Sequence, residues 1–225
     1  MKVLLIGCGT HGISLACLLA KEGNVSQLIL ADMDESKARQ AMEIVKDTGS
    51  DTKLEVKQLD ASKKENVARI GEGMDFLFNG TFPEFNIPIM EAALEVGAHY
   101  SDWLAYPFKL PGIPDHGTMD AQLELDDKFS SANLTALVSM GIAPGWTDMA
   151  ARYIVDQLDS VEKIMVRMGG KYDSKVLVAP FTPEVLMSEW FGAPYPICVD
   201  KGEIKKEDLL DSVETYEFPE PMGII

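Results

Sequence analysis

Gly7, Gly9 and Gly12 stand in G-x-G-x-x-G spacing within KVLLIGCGTHG, residues 2–12. That spacing suits a diphosphate. The first glycine permits a tight turn from strand to helix, and the second lets bare backbone approach a pyrophosphate. The third lets helix and strand pack closely. Thr10 and His11 lie inside this loop, where the first N–H groups of the helix and the positive end of its dipole face an anion. Asp32 follows about 20 residues after the last glycine, at the end of the apolar run Leu28-Ile29-Leu30-Ala31. A carboxylate there accepts hydrogen bonds from adenosine ribose hydroxyls and repels a 2′-phosphate. The pattern therefore reads as a dinucleotide site that favours NAD. NADP stays open because Lys37 and Arg39 stand nearby. The plainer reading of Asp32 is a turn acid ahead of the next helix.

Other residues able to do chemistry fall at the ends of apolar segments, where an open doubly wound sheet binds its ligands. Asp32 and Met33 close the second segment. Asp60 and Ala61 close the third and border the adenine, or Asp60 is a turn residue. Asn79, Gly80 and Thr81 close the fourth and pass the nicotinamide ribose, or form a simple turn. Tyr100-Ser101-Asp102-Trp103 closes the fifth. Asp102 is the catalytic candidate, holding a substrate ammonium group or taking its proton, with Tyr100 beside it. In the other reading Asp102 caps a turn and the aromatics are core. Trp190, Arg167 and Lys171 are weaker candidates for covering a substrate or pairing with its carboxylate; core packing and surface charge explain them more simply.

The elements that must position these groups are legible in outline. Residues 2–6 are apolar on both faces, as in a buried parallel strand. A helix over 12–22 follows, then a strand over 27–31. Asp34 caps a helix with Ala38, Ala41, Met42 and Val45 on one face. A third strand spans 53–59, and Ser62 with Glu65 forms a capping box for a short helix. A fourth strand (75–79) leads to a helix from about residue 86 that Gly97 ends in a left-handed cap. A short fifth strand (99–101), a helix over 120–132 and a sixth strand (134–139) complete a parallel, doubly wound α/β sheet of Rossmann type. The pattern changes after 140. Beyond it come a helix over 147–158, strands at 164–168, 176–179, 197–199 and 213–218, and a helix over 183–191. The expected domains are thus 1–140 for the dinucleotide and 141–225 for an α+β mixed-sheet substrate domain. The second is thin, which suggests a truncated chain or a completing partner.

The totals narrow the partners. A net charge of −16 in 225 residues leaves no basic face for nucleic acid or an anionic membrane. No apolar run approaches the 18 or so residues of a membrane helix. The N-terminus lacks a signal-peptide pattern, so a cytoplasmic protein is expected. Cys8, Cys17 and Cys198 are scattered, as are His11, His99 and His116, and neither set has metal-binding spacing.

Together these residues resemble the saccharopine dehydrogenase-like family, especially saccharopine reductases and lysine 6-dehydrogenases. The resemblance rests on the glycine loop, Asp60-Ala61-Ser62, Gly97-Ala98-His99-Tyr100-Ser101-Asp102, residues 140–145 (MGIAPG) and residues 218–223 (FPEPMG). It implies NAD(P)-linked oxidoreductase chemistry at the C–N bond of an amino acid or secondary amine. It also implies a homodimer and a chain that continues past residue 225. Saccharopine reductases carry L-D-P-G where Ile142-Ala143-Pro144-Gly145 stands here, which tilts the resemblance toward the lysine dehydrogenase branch. The rival readings are a polyamine-forming relative of homospermidine or carboxynorspermidine type, and a non-catalytic dinucleotide-binding scaffold.

Overall fold

The computed structural model describes residues 1–106, 117–170, 173–176, 197–206 and 213–224. Its contacts divide the chain into two compact units, Met1–Val161 and Glu162–Ile225.

The first unit is built on β1 (Lys2–Ile6), whose last four residues are buried. Val-, Leu- and Ile-rich runs of this kind are stable only with helices on both sides of the sheet. β1 pairs in parallel with β2 (Gln27–Asp32) on one side and β4 (Phe76–Asn79) on the other. β3 (Lys53–Gln58) lies outside β2, while β5 (His99–Asp102) and β6 (Ala136–Leu137) follow β4. The order is β3-β2-β1-β4-β5-β6, all parallel. This is the strand order of a Rossmann sheet, as the sequence reading expected.

Alternate strand residues feed two cores. On one face Val3, Leu5, Leu28 and Leu30 pack with Ala16, Ala20, Ala38 and Ala41 of α1 (Thr10–Lys21) and α2 (Glu35–Lys46). On the other, Leu4, Ile6, Ile29 and Leu77 meet Val67, Ile89, Ala92 and Phe129 of α3 (Lys64–Gly71), α4 (Asn86–Val96) and α6 (Asp126–Ser131). Alanines on α1 and α2 let those helices sit low on the sheet. α1 comes closest at its start: a Cβ on Gly12 would lie 2.0 Å from the Gly7 carbonyl oxygen.

Local signals held in part. Asp34 caps α2 through the Ser36 N–H (2.9 Å), and Gly97 ends α4 with φ +72°. The Ser62–Glu65 capping box does not form. Asp60 takes the Ser62 N–H and hydroxyl instead, and α3 starts only at Lys64 with no side-chain cap. The helix expected over 120–132 is two, α5 (Met119–Leu123) and α6, because Leu125 and Lys128 close tighter three-residue bonds at the junction. The sixth strand pairs over two residues rather than six. Its other end is drawn into Ser139, which takes a left-handed conformation (φ 56°) that a strand cannot continue.

The contact division falls at 161/162, whereas the sequence placed a boundary at 140/141. The 141–145 turn folds back on the sheet, and its Gly141, Ile142 and Gly145 carbonyls accept from the first N–H groups of α7 (Trp146–Val155). No residue of α7 is buried, and Trp146, Met149, Tyr153 and Ile154 are exposed.

The second unit contains two antiparallel pairs, β7 (Ile197–Asp200) with β8 (Glu203–Lys206) and β9 (Glu217–Phe218) with β10 (Gly223–Ile224). Residues 164–168 form no strand, since nothing in the described residues pairs with them. Only the last two residues of the expected 213–218 strand are paired. The expected strand at 176–179, apart from its first residue, and the helix at 183–191 fall outside the described residues, as do Lys171 and Trp190. Arg167 is held by Glu214 (2.5 and 3.0 Å) and lies 4.5 Å from the centre of the Tyr216 ring, so its charge is already engaged.

Replacing Gly12 with Ala forces a Cβ into the Gly7 carbonyl. A loss of about 3 kcal/mol in unfolding free energy is expected from such overpacking. Urea titration measures it, and an unchanged midpoint would show that the turn can relax.

Candidate functional site

Strand order reverses between β1 and β4, which opens a crevice above their carboxyl ends. The two loops that rim it touch. Gly80 N–H donates to the Ile6 carbonyl (2.7 Å), and Gly7 N–H to that of Ala31 (2.8 Å). Gly7 has φ +99°, and a Cβ there would meet the Gly80 carbonyl at 2.7 Å. Gly7 and Gly12 are thus consumed by the protein's own backbone. Gly9 is not: no heavy atom lies within 4 Å of where its Cβ would stand. α1 starts at Thr10 with no side-chain cap and no acidic residue in its first turn. Bare backbone at Gly9 faces open space beside the leading amides of α1. This arrangement fits a pyrophosphate.

Asp32 ties that loop to the next strand. Its Oδ2 accepts from the Cys8 N–H (2.8 Å) and its Oδ1 from the Asp34 N–H (2.9 Å). Each oxygen keeps a further lone pair for a ribose hydroxyl. Cys8 packs behind it. Burial, with the Asp32 charge adding, pushes its thiol up to about 12, so it stays a neutral core group. Met33 is exposed at the mouth. Lys37 is exposed, while Arg39 is exposed and paired with Glu35. Asp60 is held locally by Ser62 and by Lys63 at 3.2 Å, and Ala61 is core.

The nicotinamide side is built differently from the sequence reading. Asn79 is buried and organises its own loop. Its Oδ1 accepts from the Thr81 N–H (2.9 Å) and hydroxyl (2.5 Å), and its amide donates to the Phe82 carbonyl. Gly80 and Thr81 remain on the rim.

Tyr100 and Asp102, expected to contact substrate, sit inside the protein at 0% and 1% exposure. Asp102 Oδ1 accepts from the Ser139 N–H (2.7 Å), and Oδ2 accepts from Tyr100 (2.9 Å) and Gln122 Nε2 (2.6 Å). The Leu104 N–H donates to the same carboxyl group. Its acceptor capacity is spent on protein donors. Burial raises its pKa despite these four bonds. Burial, then the nearby Asp102, likewise raises Tyr100 well above its ordinary range, so it acts as a donor. The geometry makes these residues anchors of the strand ends rather than groups open to an amine. Sequence spacing placed them correctly at a strand end, but it did not show that α5 would lie over them.

Sequence reasoning missed Asn86, Gln122 and Ser139. All three are polar and buried beside the anchors. Their only signal was polarity at positions where the helix or strand pattern called for apolar side chains. Trp103 Nε1, Gln122 Oε1 and Ser139 Oγ are buried and have no protein partner. Trp103 Nε1 lies 3.5 Å from where a Cβ on Gly80 would be, at the crevice rim. Thr48 Oγ1, away from the crevice, is unpaired in the same way, so each such atom calls for its own explanation.

The fold and this crevice define a dinucleotide-binding domain of Rossmann type. Residues 3–137 match the model of the saccharopine dehydrogenase NADP binding domain, and the chain belongs to that family; its cofactor is NAD(P). Carboxynorspermidine synthase of Vibrio cholerae serotype O1 is 27% identical over 231 aligned residues, which cover 97% of this chain and 55% of that protein. Carboxyaminopropylagmatine dehydrogenase of Synechocystis is 26% identical over 196, covering 84% and 46%. The chain spans about half the length of the curated relatives it matches. Apo saccharopine dehydrogenase (L-Glu forming) from Saccharomyces cerevisiae shares the fold, with a TM-score of 0.54 and 18% identity over 69% of this chain and 31% of that one. Among the described residues no helix is long and apolar enough to cross a membrane, and no group of three His, Cys, Asp or Glu could hold a metal.

Two outcomes follow from this geometry. A methyl group on Gly9 fills only open space, so Gly9→Ala leaves the melting temperature unchanged. It weakens NAD(H) binding roughly tenfold or more, about 1.4 kcal/mol or above. Calorimetric titration beside a thermal scan checks both. Asp102 has a raised pKa when folded, so its protonated form is the one folding favours. Its contribution is complete below the unfolded aspartate pKa and is lost as pH rises through the folded value. Wild type therefore loses stability relative to Asp102→Asn over that window, read from urea midpoints against pH. Parallel curves would refute it.

Proposed function

We propose that this chain is the dinucleotide-binding part of an NAD(P)-dependent oxidoreductase acting on the C–N bond of an amino acid or secondary amine. The observation that carries the reading is the bare Gly9 backbone at an uncapped helix start, with Asp32 across the turn. Membership of the saccharopine dehydrogenase NADP binding family supports it. When bound, the dinucleotide donates or accepts hydride at the carbon that bears nitrogen. The chain's own part is placement. The amides from Thr10 onward hold the pyrophosphate, and Asp32 orients the adenosine ribose. Gly80, with no side chain, lets the nicotinamide ribose come close to Trp103.

Within this class two substrates compete. The lysine or saccharopine type follows from the sequence resemblance. The polyamine-forming type is favoured by two relatives, carboxynorspermidine synthase and carboxyaminopropylagmatine dehydrogenase, each named for an amine that carries a carboxyl group. We favour a carboxylated secondary amine, formed by reducing the imine between a primary amine and a carbonyl compound. A homodimer and a cytoplasmic location belong to the same proposal and rest on the resemblance. A non-catalytic scaffold is the reading to defeat.

The test uses the full-length enzyme, following nicotinamide absorbance with saccharopine, lysine and carboxylated polyamines in turn. Coenzyme reduction with one of these amines is the expected result. Dinucleotide binding with no turnover on any amine would favour the scaffold. The 2′-phosphate repulsion adds a second expectation: Asp32→Ala narrows the preference for NADH over NADPH by about tenfold, read from the ratio of dissociation constants.

A further inference from the structure

Asn86 opens α4 and is fully buried, yet it makes no helix cap. Its Oδ1 accepts from Asn79 Nδ2 (2.7 Å) and lies 3.2 Å from the Tyr100 hydroxyl, whose single proton it shares with the closer Asp102 carboxyl (2.9 Å), and its Nδ2 donates to the Leu104 carbonyl (2.9 Å). One side chain thus joins the loop after β4 to the loop after β5. Asn79 passes the constraint on to Thr81 and Phe82, which rim the crevice. Tyr100 passes it to Asp102. Asp102 in turn holds the Ser139 and Leu104 amides and is steadied by Gln122. An apolar core would fill this space at lower desolvation cost. A polar network there is justified by what it fixes: two loop conformations that backbone pairing alone leaves undetermined.

We propose that Asn86 is a positioning residue for the nicotinamide half of the dinucleotide. It acts by locking the 79–82 and 102–104 loops to each other, with Gln122 supporting it through Asp102. This inference rests on the dinucleotide reading above. Neither residue touches cofactor. The adenosine half falls to a different set, Gly7, Gly9 and Asp32, whose hydrogen bonds run to Ala31, Ile13, Cys8 and Asp34.

That separation supplies a test that stability alone cannot imitate. The full chain and its Asn86→Leu and Gln122→Met variants are titrated calorimetrically with NADH and with ADP, which lacks the nicotinamide half. Thermal unfolding identifies the variants that fold. The expected result is ADP affinity within about twofold of wild type, with NADH affinity down roughly tenfold in Asn86→Leu and about threefold in Gln122→Met. NADH and ADP weakening together, or NADH affinity unchanged in a folded variant, would overturn the inference and leave the dinucleotide reading standing. If Asn86→Leu does not fold, the NADH-to-ADP ratio in Gln122→Met decides in the same way. Wild type binding neither NADH nor NADPH would overturn both.

Discussion

The contact on which the unit Met1–Val161 depends is backbone against backbone, where β1 turns into α1. The Gly7 carbonyl, Gly12 and the Gly80 carbonyl occupy space that leaves no room for side chains. α1 starts close to the strand, with no side-chain cap and no acidic residue in its first turn. Because Gly80 closes against Ile6, the loop after β4 lies alongside the loop after β1. The crevice is thus a by-product of close packing. At its edge Asp32 has its carboxylate fixed by two main-chain donors before any ligand arrives. A group ordered in advance loses little conformational entropy on binding.

The second organising constraint is electrostatic. Asp102 lies at 1% exposure with its donors drawn from one strand, one helix and two loops. Removing water from a carboxylate is costly, and only a saturated shell of donors makes it tolerable. Burial leaves its pKa raised despite these bonds, and Gln122 Oε1 and Ser139 Oγ nearby have no protein partner. Ser139 holds a left-handed backbone to deliver its N–H. Together these features are what an interior looks like when it is shaped to hold loops and not only to exclude water.

Much of this was legible before the structure. The apolar strand and the glycine spacing fixed the first crossover, since each is a local signal with a mechanical reading, while Asp32 carried two readings, a ribose ligand or a turn acid. Asn79 and Asp102 were correctly placed at strand ends by periodicity. Their roles were not legible. Whether an aspartate at a strand end looks into a cleft or into the core depends on which helix lies across it. α5 reaches that position through a long connection whose path no short pattern specifies. The capping box at Ser62 failed for a related reason: Asp60 competed for the same donor two residues earlier and won it. The strand expected at 164–168 shows the limit of alternation as evidence, because a strand exists only where something pairs with it.

The chain of bonds running from Asn86 through Tyr100 and Asp102 to Gln122 also constrains how this sequence can drift over generations. Each member satisfies at least one other, so any single exchange passes through a state with an orphaned buried group. Descendants are expected to keep all four or to replace them as a set. The interior of this domain is therefore an inherited unit with strong epistasis, set in a scaffold whose neighbouring leucines and valines are free to trade places one at a time.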